Sequence, residues 1–199
     1  MHNGRGRRAW RALALVGALA LAGCTTTAGP TTLESSPPSP VAATPTPTPT
    51  TGAPAAPERP SAMDEADVAG AEALARYFLE LYPYVYATGD LAEWKALSHP
   101  ECVFCTEVVS SVETQVAAGN TNVGSDITIH LVVGREVTPG ALFAVDLEAT
   151  EGPSTEYASD GSVVESRPEA SDYDVVFAIT NEASGLVVRE VDVVAKKAP

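Results

Sequence analysis

Basic residues are scarce in this chain: 12 Lys and Arg stand against 26 Asp and Glu in 199 residues, a formal net charge of −14. No block of Lys or Arg follows the first dozen residues, so neutralisation of a phosphate backbone is excluded as a binding mode, and nucleic acid with it. Long apolar runs are also missing. The one extended run, Ala12 to Ala22, is about half of the ~20 residues a membrane-spanning helix needs. Cysteine occurs only at Cys24, Cys102 and Cys105, with no second Cys pair to complete a zinc site beside Cys102 and Cys105, and His99 alone is a poor supplement. There is no Gly-rich phosphate loop, no Ser nucleophile elbow and no His-Glu metal helix. No cofactor and no metal is therefore expected.

What the N-terminus has is an export pattern. Arg5, Arg7, Arg8 and Arg11 precede the short apolar run, which ends in Leu-Ala-Gly-Cys at Leu21 to Cys24. That ending resembles the lipobox of bacterial lipoproteins. The resemblance implies cleavage after Gly23 and a lipid on the Cys24 thiol, because only cysteine can form the thioether. Loss of residues 1–23, with four arginines and no acids, would take the formal charge from −14 to −18. A body so acidic is repelled by anionic headgroups, so attachment would come from acyl chains, at ~0.8 kcal/mol per buried CH₂. The expected location is extracytoplasmic, on the outer face of the cell membrane.

Residues 24–62 are Thr, Pro, Ser and Ala, with almost nothing large and apolar to offset the entropy of ordering. Alternating proline favours polyproline II, an extended spacer at ~3.1 Å per residue. Residues 63–199 have the length of one domain. Leu74, Tyr77, Phe78, Leu81, Tyr82 and Val85 form a helical stripe in which Pro83 is expected to introduce a bend, and Gly89 is the C-cap. Asp90 and Glu93 suggest a capping box for a short helix over Leu91 to Leu97. A third helix is predicted from Cys102 to Ala118. Strands follow. Ile127, Ile129, Leu131 and Val133 alternate with polar neighbours, as do Phe143, Val145 and Leu147. A hairpin is predicted around Asp160 and Gly161, and two more strands end the chain. Helices followed by strands predict an α+β fold with helices packed on one face of a curved antiparallel sheet.

The order of three helices and then four to six antiparallel strands is similar to the nuclear-transport-factor-two-like cone. More locally, Tyr-Ala-Thr-Gly-Asp at Tyr86 to Asp90 and Pro-Glu-Cys-Val-Phe-Cys at Pro100 to Cys105 resemble an uncharacterised family of actinobacterial lipoproteins. That family supplies no activity to carry over. Pro83 departs from its pattern in the aromatic helix.

Cys102 and Cys105 are one helical turn apart. They could be a redox couple, half a metal site or a structural disulfide. With Cys24 lipidated they are the two thiols left in an oxidising compartment, and Glu101 and Glu107 oppose a reactive thiolate, so the disulfide is favoured. His130, Asp146 and Tyr157 are the first suspects for proton-transfer chemistry at the mouth of a cone, with Glu148 nearby, but solvated strand residues are the simpler reading. Tyr77, Tyr82, Tyr84, Tyr86 and Trp94 could wall a ligand, although helical spacing favours core packing.

The favoured function is a lipid-anchored envelope module that binds a small ligand or an envelope protein without catalysis. An enzyme of the cone pocket and a homodimerising structural module are the alternatives. The anchor has a direct test: Cys24→Ala should release the protein from the membrane fraction or leave it unprocessed. Wild-type protein that is soluble without detergent and retains its full unprocessed mass would contradict the expectation.

Overall fold

The computed structural model describes residues 54–196. The expected leader 1–23, the expected lipidation position Cys24 and most of the expected linker lie outside the described residues. A 3-10 turn at Ser61–Asp64 buries Met63 and leads into α1 (Val68–Thr88), α2 (Ala92–Leu97) and α3 (Val103–Ala117). Seven strands follow: β1 (Thr121–Gly124), β2 (Ile127–Thr138), β3 (Leu142–Glu151), β4 (Ser154–Tyr157), β5 (Val163–Arg167), β6 (Ser171–Glu182) and β7 (Gly185–Ala195). The α+β class with helices on antiparallel strands is as expected, with more strands than the four to six predicted.

Helix boundaries follow from identifiable caps. Asp67 accepts the Gly70 N–H at 2.8 Å and so starts α1, with Asp64 and Glu65 preceding it. The helix continues through Pro83 and stops at Gly89, whose φ of 74° is the left-handed conformation a C-cap requires. The capping box at Asp90 and Glu93 does not form. Asp90 instead accepts the Ala92 N–H two residues on (3.0 Å), and Glu93 is drawn away to Arg59 (2.7 Å). This local Asx turn satisfies the Ala92 N–H rather than the Glu93 N–H that the capping box would have used.

The strands form two groups, β2-β3-β6-β7 and β1-β4-β5. These are segments of one bent ribbon. Gly124 lies opposite Ser154 in the small group and Ile127 opposite Glu151 in the large one, so the register runs on without slip across the gap. The second pairing of the ribbon does the same with a slip of one residue, Ser154 opposite Arg167 and Glu151 opposite Ser171. Each strand is interrupted at the same level, by Ser125, by Pro153 and by Pro168. Proline gives no N–H to a ladder, so the interruptions are where pairing must lapse. Gly124 (φ 98°) and Ser125 (φ 62°) turn the first strand, and two bonds lock the corner: Ser125 N–H to Pro153 O at 3.0 Å and Gly152 N–H to Asp126 O at 2.9 Å.

The inner face of the large group carries the core. Phe143, Val145, Leu147, Val175, Phe177, Ile179 and Val188 meet Leu74, Phe78, Leu81 and Val85 of α1, with Trp94 closing the end. Phe78 stacks on Trp94 at 3.9 Å and meets Phe177 edge-on at 6.2 Å. Burying Phe78 alone contributes about 1.5–3 kcal/mol. Trp94 is 1 % exposed, and its indole N–H is satisfied by Cys105 O at 3.1 Å. α1 lies close over β2 because Gly134 has no side chain; its N–H bonds Glu72 Oε1 at 2.7 Å, and a Cβ there would come within 2.8 Å of Val68 and Glu72.

One expected alternation fails. Leu131 and Val133 are 45 % and 49 % exposed, while Val132 is half-buried. A bulge explains it: Ile129 opposes Ala149 but Leu131 opposes the next residue, Glu148, leaving His130 as the extra residue. Inserting one residue sends every later side chain to the opposite face.

The corner has a mutational test. In Gly124→Ala the new Cβ would sit 2.1 Å from Pro153 O at a φ of 98°, whereas Gly161→Ala, at φ 83°, meets nothing within 4 Å. Denaturant unfolding should show Gly124→Ala destabilised by more than about 1 kcal/mol and by clearly more than Gly161→Ala. Equal effects would contradict a tightly packed corner.

Candidate functional site

Where the ribbon bends away from the large sheet, the helices no longer meet an apolar face. A cavity of about 400 Å³ opens there, between the C-terminal half of α1, the exposed side of α3 and the small strand group. Its lining follows from three periodicities. Tyr82 and Tyr86 stand four apart on α1. Ser110, Ser111, Thr114, Gln115 and Ala118 fall on one side of α3 at helical spacing. From the strands come residues two apart: Asn120 and Asn122, then Ser154 and Glu156, then Glu165 and Arg167, with the corner residue Ser125. Register sets them in rows. Asn122, Glu156 and Glu165 lie side by side across β1, β4 and β5, and Ser154 and Arg167 form the next pair.

Much of this lining is prearranged. Asn120 donates to Glu156 Oε1 at 2.6 Å, and Arg167 Nε donates to Glu165 Oε1 at 3.1 Å. Gln115, nearly buried, donates to Tyr86 O at 2.7 Å and so ties α3 to α1 across the cavity. Tyr82 and Tyr86 have ring centroids 5.0 Å apart. Burial pushes the Tyr82 phenol well above its ordinary value, with the neighbouring Tyr86 and Glu151 adding to the shift, so Tyr82 remains a neutral donor at all moderate pH. Arg167 is at the rim. Partial burial acts against its charge, but Glu165, Tyr82 and Glu151 hold it above its ordinary value. Glu151 Oε1 is buried and finds no hydrogen-bond partner among the described residues.

The residues singled out in the sequence are placed as follows. Cys102 and Cys105 form a disulfide, with Cα atoms 5.2 Å apart and both residues fully buried. Cys102 is also the N-cap of α3, its sulfur accepting the Cys105 N–H at 3.2 Å. The junction it closes is pinned to β7, since His99 N–H bonds Val188 O at 2.8 Å and Cys102 N–H bonds His99 O at 2.9 Å. His99 itself faces Glu182 at 3.4 Å and the Arg189–Glu101 ion pair. Among the described residues no group of three His, Cys, Asp or Glu is placed to hold a metal ion.

His130, Asp146 and Tyr157 are not brought together. His130 is exposed and bonds Thr150 Oγ1 at 2.7 Å, and that hydroxyl donates on to Asp172 at 2.5 Å. Asp146 pairs with Arg135, and Glu148 with Lys196. These groups occupy the outer face of the large sheet, opposite Phe143, Val145 and Leu147, rather than the mouth of the cavity. Tyr157 ends β4, half-buried, outside the cavity lining. The aromatic set divides. Tyr77 and Trp94 are core, Tyr84 bonds Asp90 at 3.1 Å, and only Tyr82 and Tyr86 line the cavity.

Sequence reasoning missed the α3 and small-strand lining. One signal was available. The outward side of α3 carries Ser110, Ser111 and Thr114 where a solvated helix face ordinarily carries Lys and Glu.

Residues 43–182 match the profile described as "Family of unknown function (DUF6318)", which is most of the chain, and the chain belongs to that family. No curated protein matches the sequence. Among solved structures, the intermembrane space region of the chloroplast protein ARC6 is similar at a TM-score of 0.52 and 11 % identity, covering 65 % of this chain and 98 % of that one. The likeness is one of fold. An uncharacterised protein with a cystatin-like fold from Caulobacter vibrioides gives 0.42 at 6 % identity, covering 62 % of this chain and 88 % of its own. The beta subunit of benzoate 1,2-dioxygenase from Burkholderia mallei gives 0.43 at 12 %, covering 65 % and 91 %.

The buried disulfide has a testable consequence. Replacing both cysteines with Ala should cost roughly 2 kcal/mol or less, because the closed loop is short, and should lower the melting temperature measurably. The folded wild type should resist reduction until it opens. Ready reduction in the native state, with no loss of stability in the double variant, would indicate an exchanging redox pair instead.

Proposed function

We propose that this member of a family of unknown function is a non-catalytic binding module whose ligand is a small polar molecule seated in the cavity between α1, α3 and the small strand group. The observation that carries the reading is the cavity itself. At about 400 Å³ it falls within the roughly 300–1,000 Å³ of small-molecule sites, and polar side chains converge on it from three elements. The proton-transfer alternative loses support from the placement of His130 and Asp146, which are held by Thr150 and Arg135 on another face. The module is further proposed to be a lipoprotein of the cell envelope, anchored through Cys24. That part rests on the basic leader, the short apolar run and the Leu-Ala-Gly-Cys ending.

A thermal-shift screen of the full chain in detergent against amino acids, nucleosides and sugars tests the binding reading. A compound at 100 times its Kd should stabilise the wild type by about 2.7 kcal/mol. Thr114→Trp, an exposed position whose new ring would fill the cavity, should fold normally and lose that shift. Compounds that stabilise both proteins equally would contradict the proposal.

A further inference from the structure

We propose that the ligand is a neutral, hydroxyl-rich molecule, a small saccharide, a conclusion that rests on the cavity being the binding site. The chemistry of the lining separates it from the other ligand classes.

An anion is disfavoured by charge. The lining carries two carboxylates, Glu156 and Glu165, against the single cation Arg167, and that cation already faces Glu165 at 3.1 Å. The carboxylate of Glu151 adds to the same side of the balance, since it acts on both Tyr82 and Arg167. A cation meets carboxylates that are already engaged, Glu156 by Asn120 and Glu165 by Arg167. An apolar ligand would strand the serine hydroxyls and the Asn122 carboxamide around it without partners, and each buried polar group so stranded costs about 1–3 kcal/mol.

A hydroxyl-rich ring fits each of these features. Its hydroxyls both donate and accept, as do those of Ser110, Ser111, Ser125 and Ser154, which engage no protein group among the described residues. A serine hydroxyl rotates to whichever role the ligand needs. The Asn122 carboxamide in the same lining offers a donor and an acceptor beside one another. Tyr82 and Tyr86 supply the only large carbon surface of the lining, two half-buried rings suited to the C–H face of a pyranose. Tyr82 keeps its proton, so it presents a neutral donor rather than a phenolate.

The backbone adds an independent observation. Ser125 is the one described non-glycine residue with positive φ, at 62°, and it lies in the cavity lining at 5 % exposure. That conformation costs a β-carbon residue roughly 1–2 kcal/mol, and glycine would avoid the cost. The serine at this position adds a hydroxyl-bearing residue to the lining.

The test is calorimetric titration of the full chain in detergent with galactose, mannose, arabinose, maltose and trehalose, alongside inorganic phosphate and octanoate. At least one sugar should bind saturably, with affinity weakened about tenfold in Asn122→Ala and abolished in Thr114→Trp. His130→Ala, on the outer sheet face, should retain wild-type affinity. Binding of phosphate or octanoate with no sugar binding would overturn the saccharide assignment and leave the cavity a binding site. Sugar binding that survives both cavity variants would place the sugar elsewhere and overturn it too. Failure of every sugar would also overturn it, the polar screen of the preceding subsection then deciding separately whether the cavity binds anything.

Discussion

Pro153 has no N–H to donate, and the chain opposite it turns through two positive-φ residues, Gly124 and Ser125. Pairing cannot continue through that level, so the ribbon bends there, and Pro168 interrupts the third strand at the same height. The rest of the architecture depends on this corner. Register is preserved across it while the alternation of faces shifts by one residue: Phe143, Val145 and Leu147 point inward on β3, and Ser154 and Glu156 line the concave side on β4. The concavity therefore continues past the end of the core, and its lining changes from Phe, Val and Leu to Ser, Asn and Glu.

The change in composition is what makes a cavity rather than a longer core. Below the corner, α1 presents Leu74, Phe78, Leu81 and Val85 to an apolar sheet, and the space is filled. Above it, α1 presents Tyr82 and Tyr86, α3 presents short hydroxylated side chains, and the strands present Ser, Asn, Glu and Arg side chains. Short side chains leave volume and polar ones keep it wet. The disulfide at the α2–α3 junction has a supporting part. With Trp94 Nε1 bonded to Cys105 O and His99 N–H to Val188 O, it fixes where α3 starts, and hence which of its sides faces the small strands.

The helices, their order and the Gly89 stop were legible because they depend on nearest neighbours in sequence: an apolar stripe and a glycine. The disulfide was legible for the same reason, two thiols one turn apart with no third outside residues 1–24. Three features were not. The bulge at His130 reverses the faces of Leu131 and Val133, and nothing in an alternating run shows where an extra residue will be inserted. The Asp90–Glu93 box lost to Arg59, a partner 34 residues away. The cavity joins Tyr82 to Arg167 through the corner, so no local spacing could collect its residues. His130 and Asp146 drew attention as polar strand residues, and the same bulge and pleat put them on the outer face.

The central claim is that function resides in the concave region beyond the corner and not on the outer face of the large sheet. Amide chemical-shift mapping of isotope-labelled protein titrated with a bound sugar tests it most directly. The account predicts perturbations at residues 82–86, 110–125 and 154–167, with the outer-face residues His130, Asp146 and Asp172 unmoved. Shifts centred on His130, Asp146 and Asp172, with the α3 and small-strand residues silent, would contradict it.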